Sequence, residues 1–201
     1  MTVPVDDDNA LMLRAARGDK LAFASLFDRH HRSVVRFCER FVGTRARAEE
    51  LSQDIFINIY RSASRYRPDA RFKTYLFRIA TNHCLNEMRR GEAKRQIQEP
   101  RDMTDGPTIL EQQSSGESPE WALEGKELEG VVNTAMQAMS ERERAAFAMC
   151  RFEGMAYRDI AEALEATESA VKSLIHRATV QVMNQVEAFH AGVAGPLRGE
   201  A

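Results

Sequence analysis

Apolar residues recur at steps of three and four along most of this chain, and that helical period disappears for a long stretch only once, between Gly91 and Pro119. No segment alternates apolar and polar residues between the Gly and Pro punctuation of strands, so the expected fold is all-α. With 201 residues, the chain has room for two small helical domains of roughly 100 residues each, joined by a flexible linker. The expected divisions are an N-terminal leader (1–8), a first lobe (9–95), a linker (96–120), a second lobe (121–190) and a disordered tail (191–201).

Local signals place the helices. Asp8 or Asn9 can cap a short first helix ending at Gly18, and Asp19 can cap a long second one. The second carries Phe23, Leu26, Phe27, His30, Val34, Phe37, Cys38 and Phe41 on one stripe until Gly43 ends it. Thr44 can cap a third helix with Leu51, Ile55 and Ile59 on one face. Pro68 turns Arg67 away from helical geometry, and a fourth helix over 72–90 directs Phe72, Leu76, Ile79 and Ala80 inward. The linker is rich in Glu, Gln, Ser, Asp, Gly and Pro, with Ile109 and Leu110 its main apolar pair. Beyond Trp121, a stripe of Leu128, Val131, Val132, Ala135, Met136 and Met139 precedes Ser140 and Glu143, a capping box. The helix that box opens carries Phe147, Cys150 and Phe152 and closes at Gly154.

Charge is distributed unevenly. The chain carries 28 Lys and Arg against 30 Asp and Glu, a formal net charge of −2, which taken evenly would argue against a polyanion partner. Residues 9–95, however, hold 19 basic residues against 9 acidic, a net +10. The linker is −5 and the second lobe −4. Contact with a polyanion therefore belongs mainly to the first lobe.

Two segments carry recognisable chemistry. Residues 156–179 have the pattern of a helix-turn-helix: Ile160, Ala161 and Leu164 inward, a turn around Glu165–Thr167, then Val171, Leu174, Ile175 and Ala178 inward. The outward set of its second helix, Ser169, Ala170, Lys172, Ser173, His176 and Arg177, can reach base edges and phosphates in a major groove. Asp159, Glu162, Glu165 and Glu168 lie nearby and oppose binding of DNA by this unit alone. The first lobe interleaves Arg61, Arg65, Arg67, Arg71, Lys73, Arg78, Arg89 and Arg90 with Tyr66, Phe72 and Tyr75. That combination suits single-stranded nucleic acid, because guanidinium groups hold phosphates while rings stack on bases. Asn82 and Asn86, one helical turn apart, could read an unpaired base edge.

Enzymatic and metal chemistry find no support in the residues. Cys38, Cys84 and Cys150 lack zinc or disulfide spacing and read as small buried hydrophobes in a reducing compartment. His30, His31, His83, His176 and His190 form no ligand spacing with carboxylates. No apolar run approaches a membrane span and the N-terminus has no signal-peptide pattern, so a cytoplasmic location is expected.

The runs GDKLAFASLFDRH (18–30), AEELSQDIFINIY (48–60), RFKTYLFRIATNHCLNEMRR (71–90) and AVKSLIHRA (170–178) together resemble the extracytoplasmic-function (ECF) group of bacterial RNA polymerase sigma factors, which retain sigma regions two and four. The likeness covers about residues 10–90 and 121–185. It implies a transcription initiation factor, not an enzyme, that needs no cofactor or small-molecule substrate and does not insert into membranes. Its partners would be core RNA polymerase, promoter DNA and an anti-sigma factor, in a stress or envelope response. By the resemblance, Glu50, Gln53 and Asp54, with Phe56 and Tyr60, form the core-polymerase face, and Phe56, off the Leu51/Ile55/Ile59 stripe, is expected to be an exposed ring. Arg65, Tyr66, Arg67, Arg78, Asn82 and Asn86 would capture a flipped base of the −10 element. The outward set of the second helix would read the −35 element. The chain departs from many relatives at Tyr75, where Trp is frequent, at Leu174, where Arg is, and at Ser169, where Gly is. A helix-turn-helix regulator that binds DNA without polymerase is the alternative. A small helical hydrolase acting on nucleic acid is a weaker one.

Overall fold

A computed structural model describes residues 7–97 and 119–193. Helices α1 (Asp8–Ala16), α2 (Lys20–Val42), α3 (Arg45–Ser62) and α4 (Phe72–Ile97), with a 3-10 turn over Ala63–Arg65, make the first lobe. Helices α5 (Pro119–Gln137), α6 (Glu141–Arg151), α7 (Tyr157–Ala163) and α8 (Glu168–Val193) make the second. No strand occurs among the described residues.

The ends of these helices follow from their capping residues. Asp19 accepts hydrogen bonds from the backbone N–H of Leu21 and Ala22, satisfying two of the donors every helix start leaves open. Those backbone bonds, with Arg14 beside it, hold the Asp19 carboxyl below its usual range. Gly43 takes the left-handed conformation (φ 75°) that ends α2. Ser140 and Glu143 form the expected capping box at α6.

Four local expectations differ from the structure. The cap of α1 is Asp7, which accepts from Asn9 N–H, and not Asp8 or Asn9. Thr44 occupies the N-cap position of α3 without a side-chain bond. Leu128 and Phe152 are 40% and 44% exposed, so the apolar stripes of α5 and α6 fade at their outer ends. Helix α4 continues past Arg90 through Gly91 to Ile97, and α5 starts at Pro119, so helix intrudes on both ends of the expected linker. One glycine costs a helix about 1 kcal/mol, and the following Glu92, Ala93, Lys94, Arg95 and Gln96 are good helix formers that offset it. Residues 98–118, including Ile109 and Leu110, and residues beyond Val193 lie outside the described residues.

In the first lobe α2 and α3 lie side by side with α4 packed on both, burying Leu26, Val34, Phe37, Ile55, Ile59, Phe72, Leu76 and Phe77. Phe37 stands edge-on to Phe77, with ring centroids 5.0 Å apart. In the second lobe α8 packs on α5, α6 and α7 around Met136, Met149, Ile160, Val171, Ile175 and Ala178. Cys38 and Cys84 are fully buried, as expected, whereas Cys150 is only partly so.

The two lobes touch. Helix α7 packs on α4, and α2 meets α5 and α6. The guanidinium of Arg40 lies 3.8 Å from the Phe152 ring centroid. Gln137 and Arg144 both donate to the carbonyl of Arg40. Lys73 and Ser33 hold Glu153, whose side chain is only 6% exposed.

Candidate nucleic-acid and polymerase interfaces

A cleft of about 350 Å³ opens where the 3-10 turn passes into α4, lined by Arg65, Tyr66, Arg67, Asp69, Ala70, Thr74, Tyr75 and Arg78 of the first lobe and Glu162 of the second. Its loop is pinned by Asn9 of α1. The Asn9 amide donates to the Ala70 carbonyl at 3.1 Å, and its Oδ1 accepts from Phe72 N–H at 2.6 Å and from the Tyr66 hydroxyl at 3.0 Å. By its local sequence Asn9 is only a candidate helix cap, because nothing local announces a contact more than 60 residues away.

Tyr66 is 5% exposed and stands edge-on to Tyr75, centroids 5.1 Å apart. Burial pushes its hydroxyl pKa up to about 12, with the nearby Asp7 carboxylate adding to the shift, so it stays neutral and hydrogen-bonded at physiological pH. Tyr66 thus forms part of the cleft's wall and does not offer a free stacking face. The more accessible ring is Tyr75, half-buried, with Arg78 5.8 Å from its centroid and its hydroxyl 3.1 Å from Ser62 Oγ. Arg65 and Arg67 are exposed at the mouth.

Asn82 and Asn86 do not line the cleft. They continue from it, since Asn82 and Asn86 follow the cleft residue Arg78 at successive steps of four along α4, with both asparagines exposed. The first lobe thus presents a cationic cleft leading into a polar row along one helix. Such a surface can take phosphates at its mouth and unpaired base edges along the row.

On α3, Glu50, Gln53 and Asp54 are exposed as expected. Phe56 is not: at 3% exposure it packs edge-on to Phe27 (4.9 Å) and Phe23 (6.5 Å). The buried face of α3 is wider than the Leu51/Ile55/Ile59 stripe because α2 brings these two rings across it. The exposed apolar side chains here are Ile57 (47%) and Tyr60 (44%). Ile57 lies four positions after Gln53 and three after Asp54, on the same face, and its place one residue after the expected ring disguised it. Arg47 pairs with Glu50 and with Glu87 of α4. Beside this face Asn58 and His83 are hydrogen-bonded at 3.1 Å, and burial lowers the His83 pKa.

On α8, Ser169, Ala170, Lys172, Ser173, His176 and Arg177 are all exposed, while Val171, Leu174, Ile175 and Ala178 are buried. The turn before the helix has Glu165 at φ 50°, and Thr167 Oγ1 accepts from Ala170 N–H at 3.2 Å. Arg177 is not fully free for DNA, because its Nε donates to Glu143. That pairing is the main cause holding the Glu143 carboxyl below its usual range. Arg142, which the sequence did not single out, fixes the turn by donating to the Leu164 carbonyl at 2.7 Å and lines a shallow groove with Thr167, Ala170, Ser173 and Arg177.

The family model described as Sigma-70 region 2 matches residues 26–94, and that of Sigma-70 region 4 matches residues 130–181. The RNA polymerase sigma-H factor of Pseudomonas aeruginosa is 33% identical over 86% of this chain and 90% of its own length. The ECF RNA polymerase sigma-E factor of Haemophilus influenzae is 31% identical over 90% of this chain and 95% of its own. Two solved structures share the fold. One is CnrH in complex with the cytosolic domain of CnrY (TM-score 0.65, 19% identity, covering 90% of this chain and 97% of that one). The other is the sigma factor RpoE in complex with the anti-sigma factor NepR from Bartonella quintana (TM-score 0.66, 18% identity, 82% and 96%). With both sigma regions matched in order and full-length relatives above 30% identity, the chain belongs to the ECF RNA polymerase sigma factors.

Proposed function

We propose that this sigma factor docks on core RNA polymerase through the exposed α3 face of Glu50, Gln53, Asp54, Ile57 and Tyr60, reads a −35 element with α8, and captures the non-template strand of a −10 element with the α4 cleft and row. The observation that carries this reading is the pairing of a cationic cleft with an exposed asparagine row on one lobe and an exposed recognition helix on the other. Arg65, Arg67 and Arg78 meet phosphates, Tyr75 supplies a ring, and Asn82 and Asn86 meet the unpaired base edge. Tyr66 supports that wall from behind. Melting then needs no bond-making: binding to the separated strand offsets the few kcal/mol lost when a base leaves the stack. No catalytic residue is assigned. Lys172, Ser173 and His176, with Ser169, Ala170 and Arg177 around them, form the −35 contact set. We place the functional lobes at 9–95 and 121–190 and the chain in the cytoplasm, under an anti-sigma partner, as the RpoE–NepR complex supports by analogy.

Run-off transcription with purified core polymerase tests the reading. The chain should yield promoter-dependent transcripts, and Asp54→Ala combined with Ile57→Ala should abolish them by preventing holoenzyme assembly. Tight promoter binding by the chain alone, with no transcript from any promoter it binds, would instead favour the free-standing regulator.

A further inference from the structure

The cleft assigned to the −10 strand is closed on one side by the chain's own second lobe. Glu162 of α7 lines it, and Asp159, one turn earlier, lies 3.7 Å from Arg71 with only 10% of its side chain exposed. A third carboxylate, Glu153, is held by Lys73 at 3.3 Å and by the Ser33 hydroxyl. Phe152, edge-on to Phe147 of its own lobe, also lies against Arg40 of the first lobe. Glu162 in the cleft wall and Asp159 on Arg71, next in sequence to the cleft residue Ala70, thus bring negative charge to the place where a phosphate backbone would bring its own, while Phe152 and Glu153 fasten the lobes outside the cleft. The outward residues of α8 take no part in this contact and remain exposed.

We propose that α7 is a built-in competitor for single-stranded DNA: in the free chain Asp159 and Glu162 cover the −10 cleft, and the cleft opens when the lobes separate on core polymerase. The proposal rests on the reading of that cleft as the −10 site. It separates the two promoter contacts in a specific way, since the −35 helix is available in the closed form and the −10 cleft is not. It also gives the net charge of −2 a structural meaning, because part of the cancellation between a basic first lobe and an acidic second lobe is made by direct contact.

The test uses the full-length chain without polymerase and a fluorescein-labelled, mixed-sequence single-stranded DNA, read by anisotropy. Asp159→Asn with Glu162→Gln should tighten binding about 5–30-fold, the factor that corresponds to one or two kcal/mol of lost closure. Phe152→Ala with Glu153→Gln, which loosens the lobes without altering a cleft residue, should tighten it as well and raise the radius of gyration in small-angle scattering. Glu127→Gln with Glu187→Gln makes a like change in net charge with residues outside the cleft and should shift binding less than twofold. Equal tightening by this last pair, or none by the first two pairs, overturns the proposal. If neither opened variant binds more tightly while Asn82→Ala still abolishes melting by the holoenzyme, the cover alone is wrong. If Arg67→Ala and Asn82→Ala leave melting intact, the reading of the cleft falls and the proposal with it.

Discussion

Arg144 is the side chain whose removal should cost the second lobe most. It is 3% exposed, and no carboxylate lies within ion-pair distance of it among the described residues. Carbonyls hold it instead: Met136 at 2.8 Å, Gln137 at 3.0 Å, Met139 at 3.4 Å and, across the lobe boundary, Arg40 at 3.4 Å. Three of these belong to the C-terminal end of α5 and the turn after it, where helix carbonyls are left open and the helix dipole favours a cation. Burial lowers the guanidinium pKa from its usual value, yet it stays charged at any physiological pH. A hydrogen bond to a charged group is worth about 1.5–3 kcal/mol net. Taking the low figure for the two short bonds and nothing for the two long ones, Arg144→Met should cost about 3 kcal/mol. For a chain of this size that is a fall in melting temperature of about 6–12 °C. Arg144→Lys keeps the charge but lacks the fork that reaches Met136 and Gln137 together, and should recover less than half of the loss. Denaturant unfolding followed by circular dichroism measures both. A cost below about 1 kcal/mol for Arg144→Met would refute the reasoning, because it would mean that these carbonyls find other donors at little expense.

Further outcomes follow from other contacts. Asn9→Ala removes three hydrogen bonds that pin the cleft loop and should cost about 2 kcal/mol in unfolding experiments while weakening single-strand capture by the holoenzyme; unchanged capture would show that the loop holds itself. Glu143 has a folded-state pKa below its usual value of 4.5, chiefly through Arg177, so its contribution to stability is full above that value and disappears as pH falls below it. The stability gap between the wild-type chain and Glu143→Gln should therefore be present at pH 7 and shrink steadily below about pH 4.5; a gap independent of pH would show that the carboxylate charge is irrelevant there. Lys172→Ala should weaken −35 duplex binding by about 1–3 kcal/mol without changing stability, whereas Arg177→Ala should do both, because it also abandons Glu143.

What could be read from the sequence was local. Asp19, Gly43 and the Ser140–Glu143 box set helix ends through bonds within a few residues, and the outward set of α8 followed from its period alone. Features decided by a distant partner were not legible in the same way. Phe56 is buried because Phe23 and Phe27 meet it from α2, and no spacing within α3 says so. Ile57 is the opposite case, since its spacing from Gln53 and Asp54 within α3 already puts it on the exposed face. Helix α4 overran its expected end because a single Gly is a weak stop when good helix formers follow it. The tethering of the cleft loop by Asn9 and the closure by α7 depend on contacts between residues far apart in the chain. The charge count by segment was the one trace of that closure in the sequence, and it gave the sign of the attraction without the residues that make it.

The central claim is that the first lobe drives melting by holding the separated strand, independently of −35 recognition by the second. Permanganate reactivity of thymines in the −10 region, measured on holoenzyme–promoter complexes alongside protection of the −35 region from nuclease, tests it directly. Wild-type holoenzyme should show reactive thymines and a protected −35. Asn82→Ala combined with Arg67→Ala should lose the reactivity and keep the protection. Retention of both signals, or loss of both together, would contradict the account.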